Sequence, residues 1–207
     1  MQYTRLGKSD ITVSRIAMGC WAIAGGLVWG EQDDKDAIDT IGAALDEGIT
    51  FFDTAEAYGD GYSEKLLGKA LKGKRRNVII ASKVRPGNVA YDNTIQACEQ
   101  SLKNLQTDYI DLYQIHWPVP DVPFEETYSA LNTLKQQGKI RTIGVSNFGV
   151  KNLEDFLQQG HCLINQVSYS LLFRAIEYEI LPYCREHEIG VLPYSPLAQG
   201  LLTGKFK

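Results

Sequence analysis

The sequence predicts an α/β protein that folds as a parallel (β/α)8-type barrel preceded by a small β-hairpin. Three observations support this fold class. Short runs of β-forming residues alternate with longer amphipathic segments. The strand and helix together repeat about every thirty residues, which is the length of one βα unit. Polar residues stand near the ends of six successive strands, and a parallel barrel brings those ends to one rim.

The strands are predicted from short β-rich runs. Two of these runs flank Gly7-Lys8-Ser9-Asp10 and predict the amino-terminal hairpin. Seven more runs predict the barrel strands, at Arg15–Met18, Thr50–Asp53, Val78–Lys83, Ile110–His116, Thr142–Ser146, Ile164–Val167 and Gly190–Tyr194. No low-complexity segment or linker divides the chain, so residues 1–207 are predicted to form a single domain.

The helices are predicted from apolar residues at helical spacing, with glycines where helices should stop. Their segments are Lys35–Glu47, Ser63–Leu71, Asn93–Leu105, Glu125–Gln137, Lys151–Gln159 and Tyr178–His187. Helices between successive strands imply crossover connections and therefore a parallel sheet. The expected architecture is thus about seven βα units behind the hairpin.

Composition excludes several classes of protein. The net charge of -4 gives no reason to expect nucleic acid or an anionic membrane as a partner. No apolar run is long enough to span a bilayer, and the amino terminus lacks a signal-peptide core. The four cysteines are widely spaced and form no C-x-x-C motif, so we expect free thiols in a cytoplasmic protein, without a metal site.

Each polar residue at a strand end has a simple explanation when taken alone. Asp53 could serve a turn, and Lys83 could extend past its strand into water. His116 could be a half-buried histidine, and Ser146 with Asn147 could cap the next helix. The combination is not explained in this way, because an acid, a phenol, an ammonium and an imidazole follow one another on consecutive βα units.

Those four groups suit proton transfer to a carbonyl oxygen. The phenol of Tyr58 has a reference pKa near ~10, which the ammonium of Lys83 should lower. Asp53 would pair with Lys83, and His116 would orient a carbonyl through a hydrogen bond. The group supplies no electrons, so in a reduction the hydride must come from a cofactor.

The later strand ends fit such a cofactor. Hydroxyl and amide groups suited to a carboxamide follow three strands, at Ser146, Asn147 and Gln166. Tyr194 offers a flat face for stacking on a nicotinamide ring. A flexible loop with small residues and backbone amides, suited to a pyrophosphate, follows at Ser195, Gln199 and Gly200.

Seven motifs together resemble the aldo-keto reductase superfamily, in the branch with bacterial general reductases and potassium-channel β subunits. They are LGKSDITVSRIAMGCW, GITFFDTAEAYGDGYSEKLLGKAL, IIASK, YIDLYQIHWP, GKIRTIGVSNF, INQVSYS and VLPYSPLAQGLLTGK. The resemblance covers nearly the whole chain. It implies a TIM-barrel type fold, NADPH as the favoured cofactor with NADH not excluded, and a small aldehyde, ketone or sugar-derived carbonyl as substrate.

The resemblance also implies roles for particular residues. Tyr58 would be the general acid of a catalytic set that comprises Asp53, Tyr58, Lys83 and His116. The implied cofactor-binding residues are Cys20, Trp21, Asp53, Ser146, Asn147, Gln166, Tyr194, Ser195, Pro196, Leu197, Gln199 and Gly200. The implied substrate pocket is lined by Trp21, Trp29, Tyr58, His116 and Trp117.

The chain departs from the family in its length. Lys207 follows soon after the seventh strand, whereas the resemblance implies roughly a hundred further residues that include an eighth strand. We therefore expect a carboxy-terminally truncated barrel with open edges at strands one and seven, and such a chain need not be active. Three explanations of the length stay open: the chain could be a fragment, a genuine truncation or the ordered portion of a longer protein. The oligomeric state is not predicted.

Three functions remain in competition. The leading one is NAD(P)H-dependent carbonyl reduction. A partner subunit that binds nicotinamide with little or no catalysis is the second. An aldolase-type barrel with Lys83 as a Schiff-base lysine is the third, and an ion pair with Asp53 disfavours it, because a Schiff-base lysine needs a depressed pKa.

Overall fold

The computed structural model describes residues 1–205, which form nine strands and six α-helices together with short 3-10 turns. The strands are β1 (Tyr3–Arg5), β2 (Thr12–Ser14), β3 (Ala17–Gly19), β4 (Phe51–Asp53), β5 (Ile79–Val84), β6 (Ile110–Ile115), β7 (Ile140–Ser146), β8 (Ile164–Ser168) and β9 (Gly190–Tyr194). The helices are α1 (Asp34–Asp46), α2 (Tyr62–Ala70), α3 (Tyr91–Leu105), α4 (Phe124–Gln136), α5 (Val150–Leu157) and α6 (Ile180–Glu186). No helix within residues 1–205 is both long enough and apolar enough for a membrane crossing.

The predicted hairpin is confirmed. Strands β1 and β2 pair antiparallel, with Tyr3 opposite Ser14. The hairpin buries Leu6, Ile11 and Val13. These side chains pack in one cluster with residues that come from the sheet, namely Phe51, Ala81, Leu112, Leu163 and Ile164. The hairpin therefore covers the end of the sheet that lies away from the polar strand ends.

The remaining strands form a parallel seven-stranded sheet in the order β3-β4-β5-β6-β7-β8-β9. This confirms the predicted parallel α/β barrel, here with seven strands and the six helices α1 to α6 between them. Among residues 1–205, β3 and β9 each pair with one neighbour in this sheet, as expected for an incompletely closed barrel. The register sets Lys83 beside Gln114 and Ser146 beside Gln166, so the polar ends share one rim.

The first barrel strand begins two residues later than predicted. Arg15 belongs to the hairpin side, because its backbone N–H donates to the Gln2 carbonyl and its guanidinium to the Gln2 side chain. Ser14 ties the hairpin to β4, since its hydroxyl oxygen accepts from the Phe51 N–H at 3.2 Å. The strand proper therefore starts at Ala17.

A second apolar core lies between the sheet and its helices. It includes Ile41 of α1, Leu66 and Leu67 of α2, and the aromatic side chains of Phe148 and Phe156. All four cysteines are buried as free thiols. The helices thus pack on one face of the sheet, while the hairpin packs against the other sheet cluster described above.

Gly68 marks the closest approach of α2 to α3. A Cβ atom on this glycine would lie 2.7 Å from the Leu105 carbonyl oxygen, a backbone atom that has little freedom to move. Alanine would gain about 1 kcal/mol of helix propensity but cost about 1–3 kcal/mol through overpacking. We expect Gly68→Ala to lower the free energy of unfolding by about 1 kcal/mol, measured by urea denaturation.

Gly42→Ala is the matched control for this prediction. Gly42 lies in α1, and nothing lies within 4 Å of the position its Cβ would take. This variant should gain about 0.5–1 kcal/mol from propensity alone. Equal stabilisation of both variants would contradict the close packing of α2 on α3.

Candidate active site

The site is assembled at the carboxyl ends of the parallel strands. Asp53 ends β4, Lys83 is the penultimate residue of β5, and His116 follows β6 directly. Tyr58 stands in the short loop between β4 and α2. The structure therefore brings together the four residues that the sequence placed on consecutive units.

Lys83 is the centre of the hydrogen-bonding arrangement. Its ammonium donates to Asp53 Oδ1 at 2.7 Å, to the Thr54 carbonyl at 2.8 Å and to the Tyr58 hydroxyl at 3.3 Å. These three bonds use all three protons of the ammonium. Lys83 is only 1% exposed, so the simpler prediction that it extends into water is wrong. Asp53 accepts from Lys83, so the simpler prediction that it serves its own turn is also wrong.

Burial sets the pKa of the phenol above its usual value. Desolvation raises the pKa of Tyr58 more than the ammonium of Lys83 lowers it, and the nearby Asp53 raises it further. The sequence-based expectation of a net lowering is therefore wrong, although Lys83 acts in the expected direction. The phenol consequently keeps its proton at neutral pH, as a proton donor must.

The lysine also stays charged. Burial alone would lower the pKa of Lys83, but Asp53 and Tyr58 more than offset it and the pKa is raised. A Schiff-base lysine requires the opposite shift. The aldolase alternative is thus disfavoured by the environment of Lys83 itself.

Aromatic side chains surround the phenol. The Trp21 ring stacks on Tyr58 with centroids 6.0 Å apart, and Trp29 meets Trp21 edge to face at 5.4 Å. The His116 ring lies edge to face with Tyr58 at 5.7 Å. Trp117 follows on the rim and is 48% exposed. Flat apolar walls next to a phenol and an imidazole suit a small planar group such as a carbonyl.

His116 is held in its neutral form. Burial, assisted by the positive charge of Lys83, lowers its pKa from 6.5 to about 4. Its Nδ1 atom is buried and meets no hydrogen-bond partner within residues 1–205. A neutral imidazole offers one N–H donor without adding a second positive charge beside the lysine.

The His116 shift predicts a pH dependence of stability. The unfolded histidine binds a proton below pH 6.5, whereas the folded one does so only near pH 4. Its contribution to stability should be complete above pH 6.5 and should fall as the pH drops from 6.5 towards 4. A histidine NMR titration, assigned with His116→Gln, should show this ring titrating near pH 4, and titration near pH 6.5 would contradict the burial.

A second polar group lies along β7, β8 and β9. The Ser146 hydroxyl donates to the Gln166 carbonyl at 3.0 Å and accepts from Asn147 Nδ2 at 3.0 Å. Asn147 Nδ2 also donates to the His116 carbonyl, while its Oδ1 accepts from the Tyr194 hydroxyl at 2.9 Å. Neither Ser146 nor Asn147 caps α5, which begins after Gly149 without a side-chain cap. The capping alternative is therefore wrong.

The loop after β9 has an unusual backbone. Positive φ angles occur at Ser195, Ala198, Gln199 and Gly200, within and just before 3-10 turns at Ala198–Thr203. The predicted loop is thus a series of tight turns. Within the loop the N–H groups of Ala198 and Gly200 donate to the Ser195 and Leu197 carbonyls at 2.9 and 3.1 Å. Pro196, Leu197 and Gln199 are exposed there.

Cys20 is one of the buried cofactor-binding candidates, together with Asp53, Ser146 and Gln166. Its thiol is fully buried, and burial followed by the charge of Asp53 raises its pKa. Its backbone N–H donates to the Asp53 carbonyl at 2.7 Å, which joins the ends of β3 and β4. Cys20 therefore supports the site from behind, while its neighbour Trp21 faces Tyr58.

Two residues of the site were not predicted from the sequence. Thr54 supplies the carbonyl that receives Lys83, and Ser63 binds the Thr54 hydroxyl at 2.9 Å and the Cys20 carbonyl at 2.6 Å. Their partners are distant in sequence, so neither spacing nor periodicity indicates them. Only the packing of α2 against the strand ends reveals their part.

The fold is an incompletely closed parallel α/β barrel whose polar strand ends share one rim. The sequence model of the Aldo/keto reductase family matches residues 15–207, and the chain belongs to that family. It is 48% identical to the aldo-keto reductase YhdN of Bacillus subtilis over 217 aligned positions, gaps included, which cover 99% of this chain and 65% of YhdN. It is 42% identical to the NADH-specific methylglyoxal reductase of Escherichia coli over 227 aligned positions, which cover 99% of this chain and 70% of that protein.

A solved structure shows the same fold. An aldo/keto reductase from Klebsiella pneumoniae in complex with NADP and acetate superposes with a TM-score of 0.87 at 38% identity, covering 98% of this chain and 71% of the other. The chain thus spans about two thirds of the length of the relatives it matches.

Proposed function

We propose that this chain reduces small aldehydes or ketones with a hydride from NAD(P)H, and that Tyr58 is the general acid. The main support for the proposal is the contact of Tyr58 with Lys83 at 3.3 Å, beside the stacked ring of Trp21 and a neutral histidine. Membership in the Aldo/keto reductase family supports the same reaction.

The four rim residues would divide the proton chemistry between them. His116 donates a hydrogen bond to the substrate carbonyl and orients it towards the phenol. Tyr58 transfers its proton to that oxygen as negative charge develops there. Lys83 stabilises the resulting phenolate, and Asp53 keeps the lysine charged and in place. Trp21 and Trp117 would border the substrate and exclude water from it.

The donor set of β7, β8 and the loop after β9 fits a nicotinamide dinucleotide. Ser146, Asn147 and Gln166 would hold the carboxamide, and Tyr194 would lie against the ring. The loop at residues 195–200 would receive the pyrophosphate through the side chains of Ser195 and Gln199, because the N–H groups of Ala198 and Gly200 already donate to the Ser195 and Leu197 carbonyls. When bound, the reduced cofactor supplies the hydride. NADPH is the favoured form because the Klebsiella pneumoniae relative holds NADP. NADH should be tested beside it, because another relative is an NADH-specific reductase.

Methylglyoxal is the first substrate to test. The rings of Trp21 and Trp29 next to Tyr58 suit a small planar carbonyl, and one relative is a methylglyoxal reductase. We expect the purified chain to consume reduced nicotinamide only when methylglyoxal is present, measured by nicotinamide absorbance with NADPH and NADH in parallel. Cofactor binding without turnover of methylglyoxal or of other aldehydes and ketones would instead favour a nicotinamide-binding subunit.

A further inference from the structure

Ser63 lies in the first turn of α2, fully buried, where three segments of the site meet. We propose that Ser63 is a positioning residue that fixes Thr54 and, through Thr54, the ammonium of Lys83 opposite Tyr58. The inference rests on the proposed function for its catalytic consequence. Its structural consequence, the pKa of Tyr58, can be measured without any turnover.

The direction of each hydrogen bond follows from the chemistry of the groups. Ser63 Oγ lies 2.6 Å from the Cys20 carbonyl, which accepts only, so the serine hydroxyl must donate to it. A hydroxyl has one proton, and Ser63 therefore has only acceptor capacity left for Thr54. The Thr54 hydroxyl consequently donates to Ser63 Oγ at 2.9 Å, and it too has a defined orientation.

Ser63 also reaches the loop that carries the phenol. Its backbone N–H donates to the Tyr58 carbonyl at 3.2 Å. Ser63 thus contacts three segments. They are the Cys20 carbonyl after β3, the Thr54 hydroxyl after β4 and the Tyr58 carbonyl in the loop that follows. The side chain has no exposed surface and does not touch the pocket, so any effect on the reaction must pass through its neighbours.

Thr54 transmits the constraint to the lysine. Its N–H donates to the Ala81 carbonyl at 2.9 Å, its hydroxyl to Ser63, and its own carbonyl accepts from Lys83 at 2.8 Å. The bond from Lys83 to Tyr58 is the longest of the three that the ammonium makes. Movement of the Thr54 carbonyl would shift the ammonium that it holds and so weaken the contact with Tyr58, which lowers the pKa of Tyr58.

The test is Ser63→Ala compared with Thr127→Val. Thr127 is 1% exposed, and its hydroxyl donates to the Val89 carbonyl at 2.7 Å in the packing of α4. Both variants lose a buried hydroxyl that donates to a backbone carbonyl, so both should lose some stability. Only Ser63→Ala removes a partner of the site.

The readouts separate positioning from folding. Tyrosine ring-carbon NMR, assigned with Tyr58→Phe, should give a pKa for Tyr58 that is higher in Ser63→Ala than in the wild type and unchanged in Thr127→Val. With NADPH and methylglyoxal, kcat of Ser63→Ala should fall about tenfold, and the KM for cofactor should stay within about twofold. The alkaline limb of its kcat profile should move in the same direction as the pKa.

An unchanged pKa for Tyr58 in Ser63→Ala would overturn the proposal. An inactive wild type would contradict the proposed function alone, because the NMR titration still decides the positioning. If Ser63→Ala does not fold, Thr54→Val makes the same test by removing the hydroxyl that donates to Ser63. That variant should also raise the pKa of Tyr58, and a value equal to that of the wild type would overturn the proposal.

Discussion

Replacing Tyr58 with phenylalanine is expected to lower kcat for carbonyl reduction by about a thousandfold, the scale of a lost general acid. The ring that stacks on Trp21 stays in place, and only the hydroxyl that contacts Lys83 is removed. Cofactor affinity should be unchanged, because the groups proposed to hold the carboxamide lie on β7 and β8. Single-turnover kinetics with NADPH and methylglyoxal, together with a fluorescence titration of NADPH, measures both quantities.

Tyr169→Phe is the matched control for this variant. Tyr169 follows β8, and its hydroxyl donates to Glu177 at 2.6 Å, away from the lysine. This control should retain kcat within about twofold. Normal turnover by Tyr58→Phe would refute the assignment of the general acid, and a loss of NADPH binding would show that the phenol supports the cofactor instead.

Replacing Lys83 with methionine should affect both activity and stability. Activity should fall about a hundredfold or more, because the phenolate loses its neighbouring cation. The free energy of unfolding should fall by about 3–5 kcal/mol, the usual cost when one partner of a buried ion pair is removed. Asp53, which is 8% exposed, would remain buried without the lysine that faces it at 2.7 Å.

The double variant Lys83→Met with Asp53→Asn separates the two effects. It removes the uncompensated carboxylate, so urea denaturation should show that much of the lost stability returns. Activity should not return, because the cation is still missing. A double variant no more stable than Lys83→Met would contradict the buried ion pair, and an active one would contradict the role of the lysine.

Much of the fold could be predicted from the sequence because strand and helix periods differ clearly. β9 has the predicted bounds, and most other ends lie within one or two residues of prediction. One of the largest errors, two residues, fell at the start of the first barrel strand, where Arg15 bonds to Gln2. Such a choice between two pairing partners depends on contacts across the hairpin, and residue type does not reveal it.

The site was predicted in part. Strand ends of a parallel sheet meet at one rim, so Asp53, Lys83 and His116 could be placed together before the structure was known. The direction of the pKa shift of Tyr58 could not be predicted, because it depends on how deeply the phenol is buried as well as on its charged neighbours. Ser63 and Thr54 were missed for a related reason: their partners lie on segments that only the packing of α2 brings together.

Following the hydride itself tests the proposed reduction. The purified chain is incubated with methylglyoxal and NADPH in which both hydrogens at C4 of the nicotinamide are deuterium, and the product is analysed by mass spectrometry. We expect an alcohol with deuterium on the former carbonyl carbon, formed by the wild type and lost with Tyr58→Phe. Alcohol without deuterium, or no alcohol from any carbonyl although NADPH binds, would contradict it.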